Sequence, residues 1–134
     1  LAVFLWFKYP KKESLFFTFT MLLNAAVIFV VKEIVQRARP LNGLVTESGF
    51  AFPSGHATTA IVFFGLLAYL ILRKSKSRIL RLTTIFVSVF MILLVCFTRL
   101  YLNVHWLTDI LSGISMGMFI LTGCIILREI LTKK

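Results

Sequence analysis

Four long apolar runs divide the chain, at residues 15–31, 57–72, 82–98 and 106–127. A helix needs about 20 mostly apolar residues to cross a bilayer, with a range of roughly 17–25, and each run comes close. The first is interrupted only by Thr18, Thr20 and Asn24, the second can be extended back to Phe52 across a turn, and the fourth holds a single charge, Asp109. Lipid offers nothing to an open backbone, so such runs form helices or closed barrels. These are too long and too uniformly apolar for alternating barrel strands. The expected fold is therefore all-α, a polytopic transmembrane helical bundle of four full spanning helices plus an N-terminal partial one at residues 1–7. Residues 1–134 read as a single membrane-embedded domain, N-terminally truncated because the chain opens in mid-hydrophobic sequence.

Composition excludes the alternatives. Hydrophobic residues make up 59% and charged ones 15%, against about 45–50% and 25% in soluble domains. Mean hydropathy is +0.94, and a water-soluble surface has no means of hiding fourteen Phe. Disorder, coiled coil and a freely soluble domain are all excluded. Cys96 and Cys124 each sit inside an apolar run and read as packing residues.

The net charge is +10, from 15 Lys and Arg against 5 Asp and Glu. A nucleic-acid partner would need a solvated basic face, for which so apolar a chain has little room, so none is expected. Basic loops beside a bilayer explain the excess instead. Threading the four spans puts Lys8, Lys11, Lys12, Arg73, Lys74, Lys76, Arg78, Arg81, Arg128, Lys133 and Lys134 on one side, eleven in all, and Lys32, Arg37, Arg39 and Arg99 on the other. The first side should be cytoplasmic, so the chain is expected as a multi-pass protein of the cell membrane.

The four outward cations ask for another role, because both histidines and the acids Glu33, Glu47 and Asp109 collect on the same side. Lys32 and Arg39 are seven residues apart and share a face if the helix persists to Arg39, with Pro40 then ending it. Ser54-Gly55 opens the next helix, where serine is a favoured cap and free N–H groups make an anion site. His105 and Asp109 are four apart, so the carboxylate can reach one imidazole nitrogen and leave the other free to attack. Plainer readings exist: Lys32 as a snorkelling residue, Pro53-Ser54-Gly55 as a turn, His105 as an ordinary interfacial residue. Asp109, inside an apolar run, is costly and harder to dismiss. Arg37 and Glu47 read as solvated loop charges, and Tyr101 and Trp106 as interface anchors. Gly113 and Gly117 continue the stripe of His105 and Asp109 at four-residue spacing, which lets a neighbouring backbone approach closely.

Lys32-x6-Arg39-Pro40, then Pro53-Ser54-Gly55-His56, then Arg99-x5-His105-x3-Asp109 together resemble the three-part signature of the type 2 phosphatidic acid phosphatase family, the membrane lipid phosphate phosphatases related to vanadium haloperoxidases. Thr98 stands where that family usually has serine, and its hydroxyl is kept. The resemblance implies an integral membrane phosphatase that releases the terminal phosphate of a lipid phosphate or diphosphate on the extracytoplasmic side. It implies His105 as the nucleophile forming a phosphohistidine, Asp109 orienting it, and His56 protonating the leaving oxygen. Lys32, Arg39, Ser54, Gly55 and Arg99 would hold the phosphate, with no metal and no cofactor. Phosphatidylglycerol phosphate, phosphatidic acid and undecaprenyl diphosphate fit equally as substrates. Two other readings stand beside it: a haloperoxidase-like vanadate-binding enzyme, and a non-catalytic phospholipid-binding or transporter subunit. The last has no need of two histidines.

Overall fold

A computed structural model describes residues 11–132; the partial helix expected at residues 1–7 lies outside them. Among the described residues the fold is all-α, with four helices: α1 (Lys11–Val35), α2 (Gly55–Lys74), α3 (Arg78–Tyr101) and α4 (Leu107–Thr132). Each is long and apolar enough to cross a membrane. The helices outrun the apolar stretches because their ends are capped by polar residues. Ser54 and Ser77 accept hydrogen bonds from the N–H groups of Ala57 and Leu80, each at 3.4 Å. The second span does not extend back to Phe52, since the Ser54 cap fixes its start at Gly55.

The central helix is α2. It packs against α4, α3 and α1, while α1 and α3 do not meet. One cluster of Phe17, Val62, Leu66, Leu70, Ile120, Leu121 and Cys124 joins α1, α2 and α4. Ala57, Cys96 and Ile110 form a second, between α2, α3 and α4. Both cysteines are free and buried, as packing residues should be. Phe19, Phe86 and Phe119 point outward, as lipid-facing residues do.

Lipid tails are as apolar as leucine, so close packing and polar links must hold such a bundle together. Asn24 Nδ2 donates to Thr59 Oγ1 at 3.1 Å between α1 and α2. At the end remote from the long loop, Arg128 pairs with Glu13 at 2.7 Å and covers the Phe16 ring at 4.7 Å. Arg128 is therefore tied inside the bundle rather than spread at an interface.

The tightest approach is between α2 and α4, and the glycine stripe makes it. A Cβ at Gly113 would lie 2.8 Å from Ser54 O and 3.0 Å from Thr58 Oγ1, and one at Gly117 would lie 2.9 Å from Thr58 O. Ser54 N–H donates to Asp109 O at 2.9 Å, a backbone bond between two otherwise separate elements. Gly113→Ala should lower the melting temperature in detergent, since overpacking costs roughly 1–3 kcal/mol. Gly123→Ala on the same helix, where nothing lies within 4 Å of the added carbon, should not. Equal tolerance of both would show that the close approach is not needed.

Candidate active site

Helix α1 ends at Val35, short of Arg39. Gln36 takes a left-handed φ of 47° and its N–H donates to Lys32 O at 3.0 Å, which closes the helix ahead of Pro40. Lys32 and Arg39 therefore do not share a helical face as the spacing suggested. They meet because the chain folds back through the loop after Arg39. Lys32 Nζ donates to Phe50 O. Arg39 donates to the carbonyls of Gly49, Ser48 and Val104 at 3.0–3.2 Å. The same loop is pinned by Ala51 N–H to Arg37 O at 2.8 Å and Leu44 N–H to Leu102 O at 2.9 Å.

His105 sits in the short turn before α4 and is only 3% exposed. Arg39 Nη1 lies 3.3 Å from its Nε2. Guanidinium can only donate, so Nε2 is the acceptor and the imidazole proton belongs on Nδ1. That atom is buried and lacks a hydrogen-bond partner, with Asp109 Oδ2 3.6 Å away. The expected direct bond between Asp109 and His105 is thus not formed; the carboxylate acts on the ring through space, and Arg39 selects the tautomer. Burial, followed by the nearby Arg39 charge, pushes the His105 pKa below its ordinary value, with Asp109 opposing. The ring is held neutral, with its Nε2 lone pair engaged by Arg39 beside the cleft.

Asp109 is fully buried and committed elsewhere. It lies in the first turn of α4, and its Oδ2 accepts the Trp106 N–H at 2.9 Å, the reciprocal half of a capping box. Its Oδ1 accepts from Arg37 Nη1 at 2.7 Å. Arg37 is therefore not a solvated loop charge. It also donates to Thr108 Oγ1 at 2.6 Å and lies 5.6 Å over the Trp106 ring. Trp106 in turn donates its indole N–H to Ala38 O at 3.2 Å, so it fastens this segment besides sitting at a helix end. A buried carboxylate demands a partner, and once α1 stops at Val35, Arg37 is free to reach it.

Glu47 departs further from the expected solvated charge. Its carboxylate bridges two guanidiniums, Arg39 at 3.0 Å and Arg99 at 2.8 Å. Thr98 spends its hydroxyl on Val95 O at 2.7 Å, with Arg99 Nε 3.5 Å away. Glu47, His56 and His105 bring one ligand atom each within 4.8 Å of one another, a spacing compatible with a metal ion. Lys32, Arg39 and Arg99 crowd the same place, and three cations around one carboxylate favour an anion over a cation. Ser54, buried as the α2 cap, and Gly55 bring the helix N-terminus to this point, adding a partial positive charge.

Lys32, Arg39, Glu47, Gly55, His56 and His105 line the polar head of a cleft of about 1010 Å³. Its body is apolar, walled by Ile28 and Phe29 of α1, Phe63 and Phe64 of α2, and Val95 of α3. Because α1 and α3 do not meet, the cleft runs along α2 between them.

Four helices long and apolar enough to cross a membrane, with cations and histidines gathered at one end of an apolar cleft, mark a multi-pass membrane protein. The profile of the PAP2 superfamily matches residues 13–133, and the chain belongs to that superfamily. It is 37% identical over 94 residues to phosphatidylglycerophosphatase B of Bacillus subtilis, covering 68% of this chain and 46% of the relative. It is 29% identical over 134 residues to the lipid A 4'-phosphatase of Porphyromonas gingivalis, covering 87% and 53%. The crystal structure of a transmembrane PAP2 type phosphatidylglycerolphosphate phosphatase from Bacillus subtilis superposes with a TM-score of 0.85 at 28% identity, over 96% of this chain and 65% of that one. The chain spans about half the length of the curated relatives it matches.

Nitrogen NMR of histidine-labelled protein, assigned with a His105→Gln variant, should show His105 as the Nδ1–H tautomer. Its titration should lie below the ordinary imidazole value of about 6.5. The neutral ring then persists as pH falls through that value and charges only below it. A midpoint at or above 6.5, or an Nε2–H tautomer, would contradict this electrostatic account.

Proposed function

We propose that this chain carries the catalytic centre of an integral membrane lipid phosphate phosphatase, hydrolysing the terminal phosphate of a lipid phosphate or diphosphate. One observation carries the reading: Lys32, Arg39 and a helix N-terminus converge with two histidines at the head of an apolar cleft between spanning helices, and Arg99 joins them through Glu47. Phosphoryl transfer needs mainly positioning and charge stabilisation, and the cleft provides room for the acyl or prenyl tail in line with the head.

Lys32, Arg39 and Arg99, with Ser54 and the Gly55 N–H, hold the phosphate oxygens. Once Arg39 turns from His105 to the phosphate oxygens, the Nε2 lone pair of the neutral ring is released and attacks phosphorus. The N–P bond forms as the bond from phosphorus to the lipid oxygen breaks, and His56 gives that oxygen its proton. The Asp109 carboxylate stabilises the positive charge that grows on the His105 ring. Water then attacks the phosphohistidine, His56 takes the water proton, the N–P bond breaks and inorganic phosphate leaves. No step calls on a metal. The basic side of the chain lies in the cytoplasm, so the centre faces the extracytoplasmic leaflet of the cell membrane.

The names of the relatives favour phosphatidylglycerol phosphate as a first substrate to try, with phosphatidic acid and undecaprenyl diphosphate as the comparison set. Phosphate release from these lipids in mixed micelles should persist in EDTA. Activity should fall at least about a thousandfold in His105→Ala and about a hundredfold or more in His56→Ala, the range expected for loss of a nucleophile or an acid–base group. Full activity in a folded His105→Ala protein, or turnover abolished by EDTA and restored by a divalent ion, would overturn the mechanism.

A further inference from the structure

Within the reading of this site as a phosphate centre, we infer that Glu47 is an intramolecular competitor for the phosphate position, setting the site's affinity for anions and helping to expel the phosphate product. The geometry is specific. The two carboxylate oxygens of Glu47 are divided between Arg39 at 3.0 Å and Arg99 at 2.8 Å, as two oxygens of a phosphate would be. Glu47 also lies with the ring nitrogens of His56 and His105 inside one 4.8 Å cluster. A carboxylate there overlaps the volume that a phosphoryl group must enter.

The surrounding donors are turned to the same loop. Lys32 donates to Phe50 O, and Arg39 donates to Gly49 O and Ser48 O. Residues 47–50 thus satisfy, from one short segment, the cations that phosphate would otherwise engage. This segment comes from a loop rather than from the helical frame, and three parts of the site keep holds outside it. Arg39 keeps its bond to Val104 O, Ser54 is held by Asp109 O, and Arg99 is fixed on α3.

Three buried or half-buried cations and a helix terminus would otherwise retain inorganic phosphate tightly. With Glu47 in place, binding any anion means breaking its two ion pairs, and releasing the product is assisted by their return. The cost falls on substrate and product alike, so Glu47 does not discriminate among lipids. It raises KM and the inhibition constants of phosphate and vanadate together, and it speeds turnover wherever phosphate release is slow.

The test compares the wild type with Glu47→Gln in the full chain, using inorganic phosphate and vanadate as probes, a short-chain phosphatidic acid as substrate, and melting temperature as a check of folding. Glu47→Gln should lower the inhibition constants of both anions by about tenfold or more, the scale of losing two charge-assisted hydrogen bonds. KM should fall with them, and kcat should fall as release becomes limiting. Glu47→Asp, shorter by one methylene but still charged, should give a smaller shift in the same direction and serves if the glutamine variant does not fold. Unchanged or raised inhibition constants in the folded variant would overturn the inference, showing that Glu47 only steadies the two arginines. A wild type that neither turns over lipid phosphate nor binds inorganic phosphate would instead overturn the reading of the site itself.

Discussion

The contact on which the site depends is the backbone approach of α2 to α4. In a bilayer no hydrophobic effect draws helices together, so the distance between two backbones is set by the side chains between them. At Gly113 and Gly117 there are none, and Ser54 and Thr58 of the facing chain fill the gap. The Ser54 N–H bond to Asp109 O then locks the start of α2 against the start of α4. Gly55 and His56 follow Ser54, and His105 precedes Asp109 by one turn. Two histidines 49 positions apart in sequence reach one cluster through that single register.

Charge compensation shapes everything above this contact. Asp109 is fully buried, and it is tolerated because the Trp106 N–H and Arg37 share its two oxygens. This arrangement holds the carboxylate near His105 without bonding to it. Lys32 and Arg39 stand near the ring, and Arg99 joins them through Glu47, close enough to repel one another in a medium of low dielectric. Glu47 and the carbonyls of residues 48–50 meet that repulsion. The imidazole lies near a held anion and near Arg39, and burial followed by the Arg39 charge keeps it neutral against the pull of Asp109.

Much of this was legible beforehand. Apolar runs of spanning length dictate helices in any chain, and the four-residue spacing of Asp109, Gly113 and Gly117 announces a common face of α4 before any neighbour is known, whereas His105 falls in the turn ahead of that helix. The serine cap was legible for the same local reason. What escaped depends on contacts between distant residues. The end of α1 at Val35 rests on a left-handed Gln36, a residue with no strong preference for that conformation, rather than on Pro40. Arg37 looks solvated until the helix is known to stop, and Glu47 lies in a loop whose path is decided by carbonyls donated to from Lys32 and Arg39. A buried aspartate in a spanning segment was the available signal for Arg37, since such a charge must have a partner. Nothing local marked Glu47.

The chemistry assigned to His105 is tested most directly by quenching the enzyme during turnover of a lipid phosphate carrying labelled phosphorus and mapping the label. Transfer to Nε2 predicts a phosphoprotein stable in alkali and labile in acid, with the label on the peptide that contains His105 and absent from a folded His105→Ala protein. Label on a hydroxyl or carboxylate side chain, or displacement by water with inversion at phosphorus and no labelled protein at any time, would contradict it.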